Sequence, residues 1–269
     1  MPIFRGAVFV FFSFVMGFGL SLSMAESAIA QDGDIKTKRF KLDDRWRRYK
    51  IYVPDTMPEG PRPLVLVIHG GASTDRGMIK LTKERWNQLA DEHGFYAVYP
   101  NAVDRSWDFG EGIISTGDVD DLAYFDKVMD HVSTRYSIYQ TRIFATGISR
   151  VGQASFFLAC NLTDRIRAAA PVAMNLPDFM EDECESGAPV PMAIIMGNAD
   201  PQVPFDGGQI VVLGQKRDFV LSARQTQSLW AKRNGCVQDA FMQLTIDKPG
   251  DKTSVEMTEW AACEAPLRF

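Results

Sequence analysis

The chain has 269 residues, of which 46% are hydrophobic and 23% charged, and a formal net charge of −5 at pH 7. Such a composition excludes a disordered or fibrous chain, and the length suits one large globular domain with a substantial core. No Lys/Arg stripe offsets the acidic balance, which argues against a nucleic-acid partner.

The N-terminus reads as a secretory signal peptide. Arg5 gives a short positive region, residues 7–22 form an apolar run rich in Phe and Val, and Ala28-Ile29-Ala30 fits an A-x-A cleavage site before Gln31. The run is short for the ~20 residues of a membrane span, so no stable insertion is expected after cleavage. The expected organisation is therefore residues 1–30 as signal and residues 31–269 as one exported domain, secreted or periplasmic.

Residues 35–41 and 45–53 read as two strands joined at Asp43-Asp44, followed by a proline-rich loop over 54–63. Leu64-Val65-Leu66-Val67-Ile68 is wholly apolar and ends at His69-Gly70-Gly71. A short apolar run of this kind predicts a strand buried on both faces, as in a parallel sheet. Residues 75–93 read as one helix with Met78, Trp86, Leu89 and Ala90 along one side, stopped by Gly94. A strand over 96–99 and a long loop over 100–117 carrying Trp107 come next. Asp118 is placed to cap a helix reaching Tyr136, because Leu122, Phe125, Met129, Val132 and Tyr136 recur at three- and four-residue steps. Strands are expected over 142–146, 168–173, 192–196, 241–246 and 254–260, helices over 150–160 and 219–234, and Leu267-Arg268-Phe269 begins a further strand. This alternation predicts an α/β fold with a mostly parallel sheet and helices on both faces.

The segment Ile143-Phe144-Ala145-Thr146-Gly147-Ile148-Ser149-Arg150-Val151-Gly152 carries the chemistry. It is a strand, a tight turn and a helix with serine at the turn, the setting of a G-x-S-x-G nucleophile elbow. Such a turn pushes the hydroxyl out and aims the next N–H, that of Arg150, at a developing oxyanion. Gly147 stands two before the serine, but Val151 stands two after it, where its bulk is expected to cost about 1–3 kcal/mol by overpacking unless Gly152 relieves it. The plainer alternative is that Ser149 only caps the helix. Upstream, His69-Gly70-Gly71 ends a buried strand where a second oxyanion N–H belongs. Downstream, Asp200 follows the strand over 192–196, at the same sheet edge as the serine, although an Asp in Gly197-Asn198-Ala199-Asp200 also suits a plain turn. The four cysteines allow three pairings. Their spacing is not that of a CxxC metal site, and no His/Asp cluster supports a metal-dependent hydrolase, so neither metal nor cofactor is expected.

Taken together, the pattern resembles the secreted polyhydroxybutyrate depolymerase and feruloyl-esterase family of α/β-hydrolases. Such proteins carry an elbow like ATGxSxGG…LAC, here ATGISRVGQASFFLAC, and an acid motif like HGxxDxxVPYxGG, here MGNADPQVPFDGG. Further matches are residues 48–54, 63–71, 94–100, 120–125 and 235–236. The resemblance implies an α/β-hydrolase fold, Ser149 as nucleophile, Asp200 as the acid that orients the base, and Gly71 and Arg150 as oxyanion N–H donors. It supports disulfides Cys160–Cys184 and Cys236–Cys263. The implied substrate is a polyester of the polyhydroxybutyrate type or a feruloyl or acetyl ester on plant polysaccharide. Trp107 is a candidate substrate contact, against the alternative that it packs beneath its loop.

One part is missing. Acyl transfer through serine needs a general base, and all three histidines, His69, His93 and His131, precede Asp200. Relatives carry the base in a GGGH-like loop after a last strand. Here that strand begins at Leu267, so C-terminal truncation is expected. His69 is expected to be structural, His93 to satisfy carbonyls at a helix end, and His131 to be solvated. The rival expectation is a non-catalytic remnant that keeps fold and cleft and binds a ligand without turnover.

Overall fold

A computed structural model of the chain describes residues 33–109, 118–149, 152–237, 240–248, 250 and 252–269. The signal-peptide expectation for residues 1–30 lies outside them. Strand β3 (Arg62–Ile68) lies at the centre of the structure, and Leu64 to Ile68 are all buried. Its side chains alternate between two clusters. Leu64, Leu66 and Ile68 face Phe125, Met129 and Phe156 on one side of the sheet, while Val65 and Val67 face Met78, Ile79 and Ala90 on the other. A strand without a polar face is stable only between two layers, and helices supply both.

Around β3 the parallel strands are β4 (Tyr96–Pro100), β5 (Ile138–Ile148), β6 (Ile166–Val172), β7 (Met192–Ala193) and β12 (Leu267–Arg268). They lie in the order β4-β3-β5-β6-β7-β12. Antiparallel ribbons extend both sides. One is β1 (Asp34–Leu42) with β2 (Arg45–Val53), which joins β4; the other is β10 (Phe241–Asp247) with β11 (Ser254–Trp260), which joins β12. The result is a ten-stranded α/β-hydrolase sheet. The strand expected to be left incomplete is two residues long and lies inside the sheet, paired with β7 and β11.

Helices α1 (Asp75–Leu81) and α2 (Arg85–His93) cover one face, and α3 (Asp121–Ser133), α4 (Gly152–Asn161) and α6 (Ala223–Arg233) pack on the other. The single helix expected over 75–93 is broken at Lys83 and Glu84, which take φ of 49° and 59°. The break re-aims the second segment so that Asn87 accepts from the Tyr99 hydroxyl at 2.7 Å. Asp120, not Asp118, caps α3 by accepting from the Ala123 N–H. The helix expected over 219–234 begins only at Ala223, behind a capping box of Ser222 and Gln225. Phe219 instead belongs to β9 (Gln215–Val220), which forms a separate hairpin with β8 (Gly208–Val212). A short helix, α5 (Glu181–Ser186), is held to α4 by the Cys160–Cys184 disulfide, and Cys236–Cys263 ties the end of α6 to the segment before β12. Both bonds are the expected ones. Each closes a loop that the chain-entropy picture values at about 3 kcal/mol.

Candidate active site

Ser149 stands between the end of β5 and the start of α4 with φ of 62°. A non-glycine residue in this left-handed region costs of order 1–3 kcal/mol and persists only when its surroundings fix it. The surroundings do so here. Gly147 is locked between Ile68 and Pro171 in parallel register, and α4 leaves immediately across β6. A β-carbon on Gly152 would stand 2.5 Å from the Met174 Cβ and 3.0 Å from the Val172 carbonyl oxygen. The close approach that an elbow demands therefore falls on Gly152. Val151 and Arg150, the expected sources of crowding and of one oxyanion N–H, lie outside the described residues.

The β3–α1 loop reaches the same place. Ile68 pairs with Gly147, and continuing that register brings Gly70 level with Ser149. Gly71 follows on the exposed surface, and among the described residues no acceptor takes its N–H. Ala72 and Ser73 hold the loop by bonds to the Arg105 and Gly70 carbonyls.

Asp200 reaches this edge from the other side. Ile148 pairs with Val172, and Val172 bridges Ile195 in parallel, so the segment from Ile195 to Asp200 leaves the sheet at the end where Ser149 leaves it. The Asp200 carboxylate is fixed, with Oδ1 accepting from the Gln202 and Val203 N–H groups at 2.8 and 2.9 Å. The other oxygen, Oδ2, has no hydrogen-bond partner among the described residues. The rest of the acid motif anchors this loop. Val203 is buried, and the buried Asn175 donates to the Pro204 carbonyl at 2.9 Å. Gly207 has φ of 79°, with space for a β-carbon denied by the Ser222 nitrogen at 2.7 Å. Ile195, 57% exposed, adds apolar surface at this edge. Gly152, named from the sequence as a possible relief for Val151, is where the close approach falls, whereas nothing in the sequence pointed to Ile195.

No protein-family model matches the chain. It is 28% identical over 236 residues to a probable feruloyl esterase C of Aspergillus flavus, covering 85% of this chain and 75% of that one. It is 29% identical over 128 residues to poly(3-hydroxyalkanoate) depolymerase C of Paucimonas lemoignei, covering 45% of this chain but 30% of the depolymerase. A match to feruloyl esterase B of Piromyces equi, 31% identical over 121 residues, takes in only 23% of that protein. Among solved structures a thermostable esterase superposes with a TM-score of 0.55 over 74% of this chain and 52% of its own, at 19% identity. The chain has the α/β-hydrolase fold and is similar in sequence to feruloyl esterases and to a poly(3-hydroxyalkanoate) depolymerase.

Within this fold His69 and His131 are committed elsewhere. His69 is 1% exposed. Its Nε2 accepts from the Ala102 N–H at 3.1 Å, which leaves Nδ1 to donate to the Gly70 carbonyl at 2.8 Å. Burial holds its pKa below the usual histidine value, so the ring is a neutral strut beneath the β3–α1 loop. His131 is not solvated: its Nδ1 meets the Tyr49 hydroxyl at 2.9 Å and its ring lies against Phe40. His93 is exposed beside Glu92, and the last turn of α2 is closed by the Gly94 N–H bonding to Ala90. Trp107 is 1% exposed, donates its indole N–H to the His69 carbonyl at 3.0 Å and stacks on Phe125. It therefore braces the loop from within, which corrects the expectation of a substrate contact.

A buried ion pair completes the support. Arg47 meets Asp121 Oδ1 at 2.6 Å, and Asp121 Oδ2 accepts from the Asp108 N–H at 2.7 Å, fixing the chain just beyond Trp107. Burial pushes the Asp121 carboxyl above its ordinary pKa against the opposing pull of Arg47. Among the described residues no group of three or more potential metal ligands lies together, and no helix is long and apolar enough to cross a membrane.

Proposed function

We propose that this chain is a carboxylic-ester hydrolase by ancestry, working through an acyl-serine intermediate. Ser149 Oγ attacks the ester carbonyl, and the N–H groups of Gly71 and Arg150 receive the oxyanion. In an intact relative a histidine takes the serine proton and the acid at the position of Asp200 holds its imidazole; here Asp200 keeps one carboxylate oxygen unused by the turn, but no histidine follows it in the sequence, so the proton acceptor of the triad is lacking. The observation that carries this reading is the left-handed Ser149 at a strand–helix junction, on the sheet edge that Asp200 also borders. The relatives' names support a feruloyl ester or a hydroxyalkanoate polyester as substrate, and the sequence resemblance adds acetyl esters on plant polysaccharide. The two disulfides support an oxidising compartment, in keeping with residues 1–30 as a cleaved signal and a secreted or periplasmic domain.

The engagement of His69 and His131, with His93 exposed on α2, favours a second reading, a binding protein that retains the cleft without turnover. Purified chain assayed on p-nitrophenyl butyrate beside Ser149→Ala separates the two. Turnover above the variant supports the hydrolase with a substitute base; equal rates support the non-catalytic protein.

A further inference from the structure

The face of the sheet covered by α1 carries a groove that the reaction leaves unused. It has a volume of about 510 Å³ and is lined by Ile35, Lys50, Arg76, Ile79, Lys80, Lys83 and Glu84. Four of these seven side chains are cationic and one is anionic, on a chain whose overall charge is −5. Arg76 and Lys80 are one turn apart on α1, so they share a face. Lys83 sits in the left-handed break before α2, where a strained backbone places it beside them. Lys50 approaches from β2.

Among the described residues Arg76, Lys80 and Lys83 form no ion pair. Lys50 is 9% exposed and bonds only to the Thr37 hydroxyl at 2.7 Å. The nearby carboxylate of Asp75 is engaged by Arg48 at 3.4 Å. The buried Asp75 carboxylate attracts Lys50 from within the fold, while Arg76, Lys80 and Lys83 leave an excess of positive charge at the groove that an entering anion would offset. Burial nonetheless depresses the Lys50 pKa. Ile35 and Ile79 supply apolar wall within the same groove, and the volume is that of a small-molecule site.

We infer that this groove binds a small organic anion, a carboxylate joined to an apolar body, at a site separate from Ser149. The carboxylate meets Lys50 and the α1 cations, and the body lies on Ile35 and Ile79.

The test is titration of the purified chain with 3-phenylpropionate, its uncharged amide and inorganic phosphate. Blocking the serine with a fluorophosphonate, or using Ser149→Ala where it does not label, keeps the elbow out of the readout. The acid is expected to bind, the amide not to bind, and phosphate to bind more weakly. Lys80→Gln/Lys83→Gln changes only exposed side chains and is expected to weaken binding about tenfold; Lys50→Met is expected to abolish it. Absence of binding up to about 10 mM acid, or equal affinity in the Lys80→Gln/Lys83→Gln chain, overturns the site. Equal affinity for phosphate overturns the apolar-body part of the assignment.

Discussion

Gly70 lies against Ile148: a β-carbon at Gly70 would stand 3.5 Å from the Ile148 carbonyl oxygen, an ordinary contact. Gly152, across the elbow, has no such room. Gly70→Ala is therefore expected to leave thermal stability within about 0.5 kcal/mol of the parent, while Gly152→Ala costs about 1–3 kcal/mol by overpacking against Met174. Equal melting temperatures for the two variants would refute the placement of the close approach.

The histidine commitments make chemical rescue informative. Without a positioned base, Ser149-dependent turnover is expected to sit about 10⁴–10⁶-fold below that of an intact triad. Imidazole at about 0.1 M should then raise p-nitrophenyl butyrate hydrolysis by the chain at least tenfold beyond its effect on Ser149→Ala. The measurement is the difference between the two slopes against imidazole concentration.

Asp200 has a structural duty separable from its chemical one. Asp200→Asn keeps an acceptor for the Gln202 and Val203 N–H groups and is expected to melt with the parent. Asp200→Ala leaves both unsatisfied and should cost about 1–3 kcal/mol. Both substitutions should remove any imidazole-stimulated turnover.

Arg47 and Asp121 are almost fully buried together. Arg47→Met strands a carboxylate and is expected to destabilise by about 3–5 kcal/mol, whereas Arg47→Met combined with Asp121→Leu should recover part of that loss. Chemical denaturation of the single and double variants measures it.

His69 and His131 have depressed pKa values in the folded chain, both chiefly through burial. An unfolded chain then binds more protons just below the ordinary histidine pKa, so stability falls as pH drops from about 6.5 toward 5, before the carboxylates titrate. His69→Gln, whose side-chain oxygen can accept from the Ala102 N–H, should flatten this part of the stability–pH curve. An unchanged slope would show that His69 is not neutral in the fold.

The core strand and the elbow were legible in the sequence because each is a local signal: an uninterrupted apolar run at 64–68, and a glycine two residues before a serine. The break at Lys83-Glu84 was not, since both residues favour helix and nothing nearby announces a left-handed pair. The β8–β9 hairpin was missed for a similar reason. Its turn places Leu213 and Gly214 at φ of 51° and 75°, where an Asn-Gly pair would have been readable. Trp107 was left between two readings and His131 was taken as solvated because their partners, His69 and Tyr49, are 38 and 82 residues away. Spacing cannot show such pairs.

The setting of Phe269 bears on how the protein is handled. β12 runs parallel with β7, and the Phe269 ring stands 6.4 Å from Phe205 in the acid loop. An affinity tag fused behind Phe269 would thus be delivered beside the Asp200 loop and would obstruct or mimic a ligand there. Purification handles belong ahead of β1, at the outer margin of the opposite ribbon.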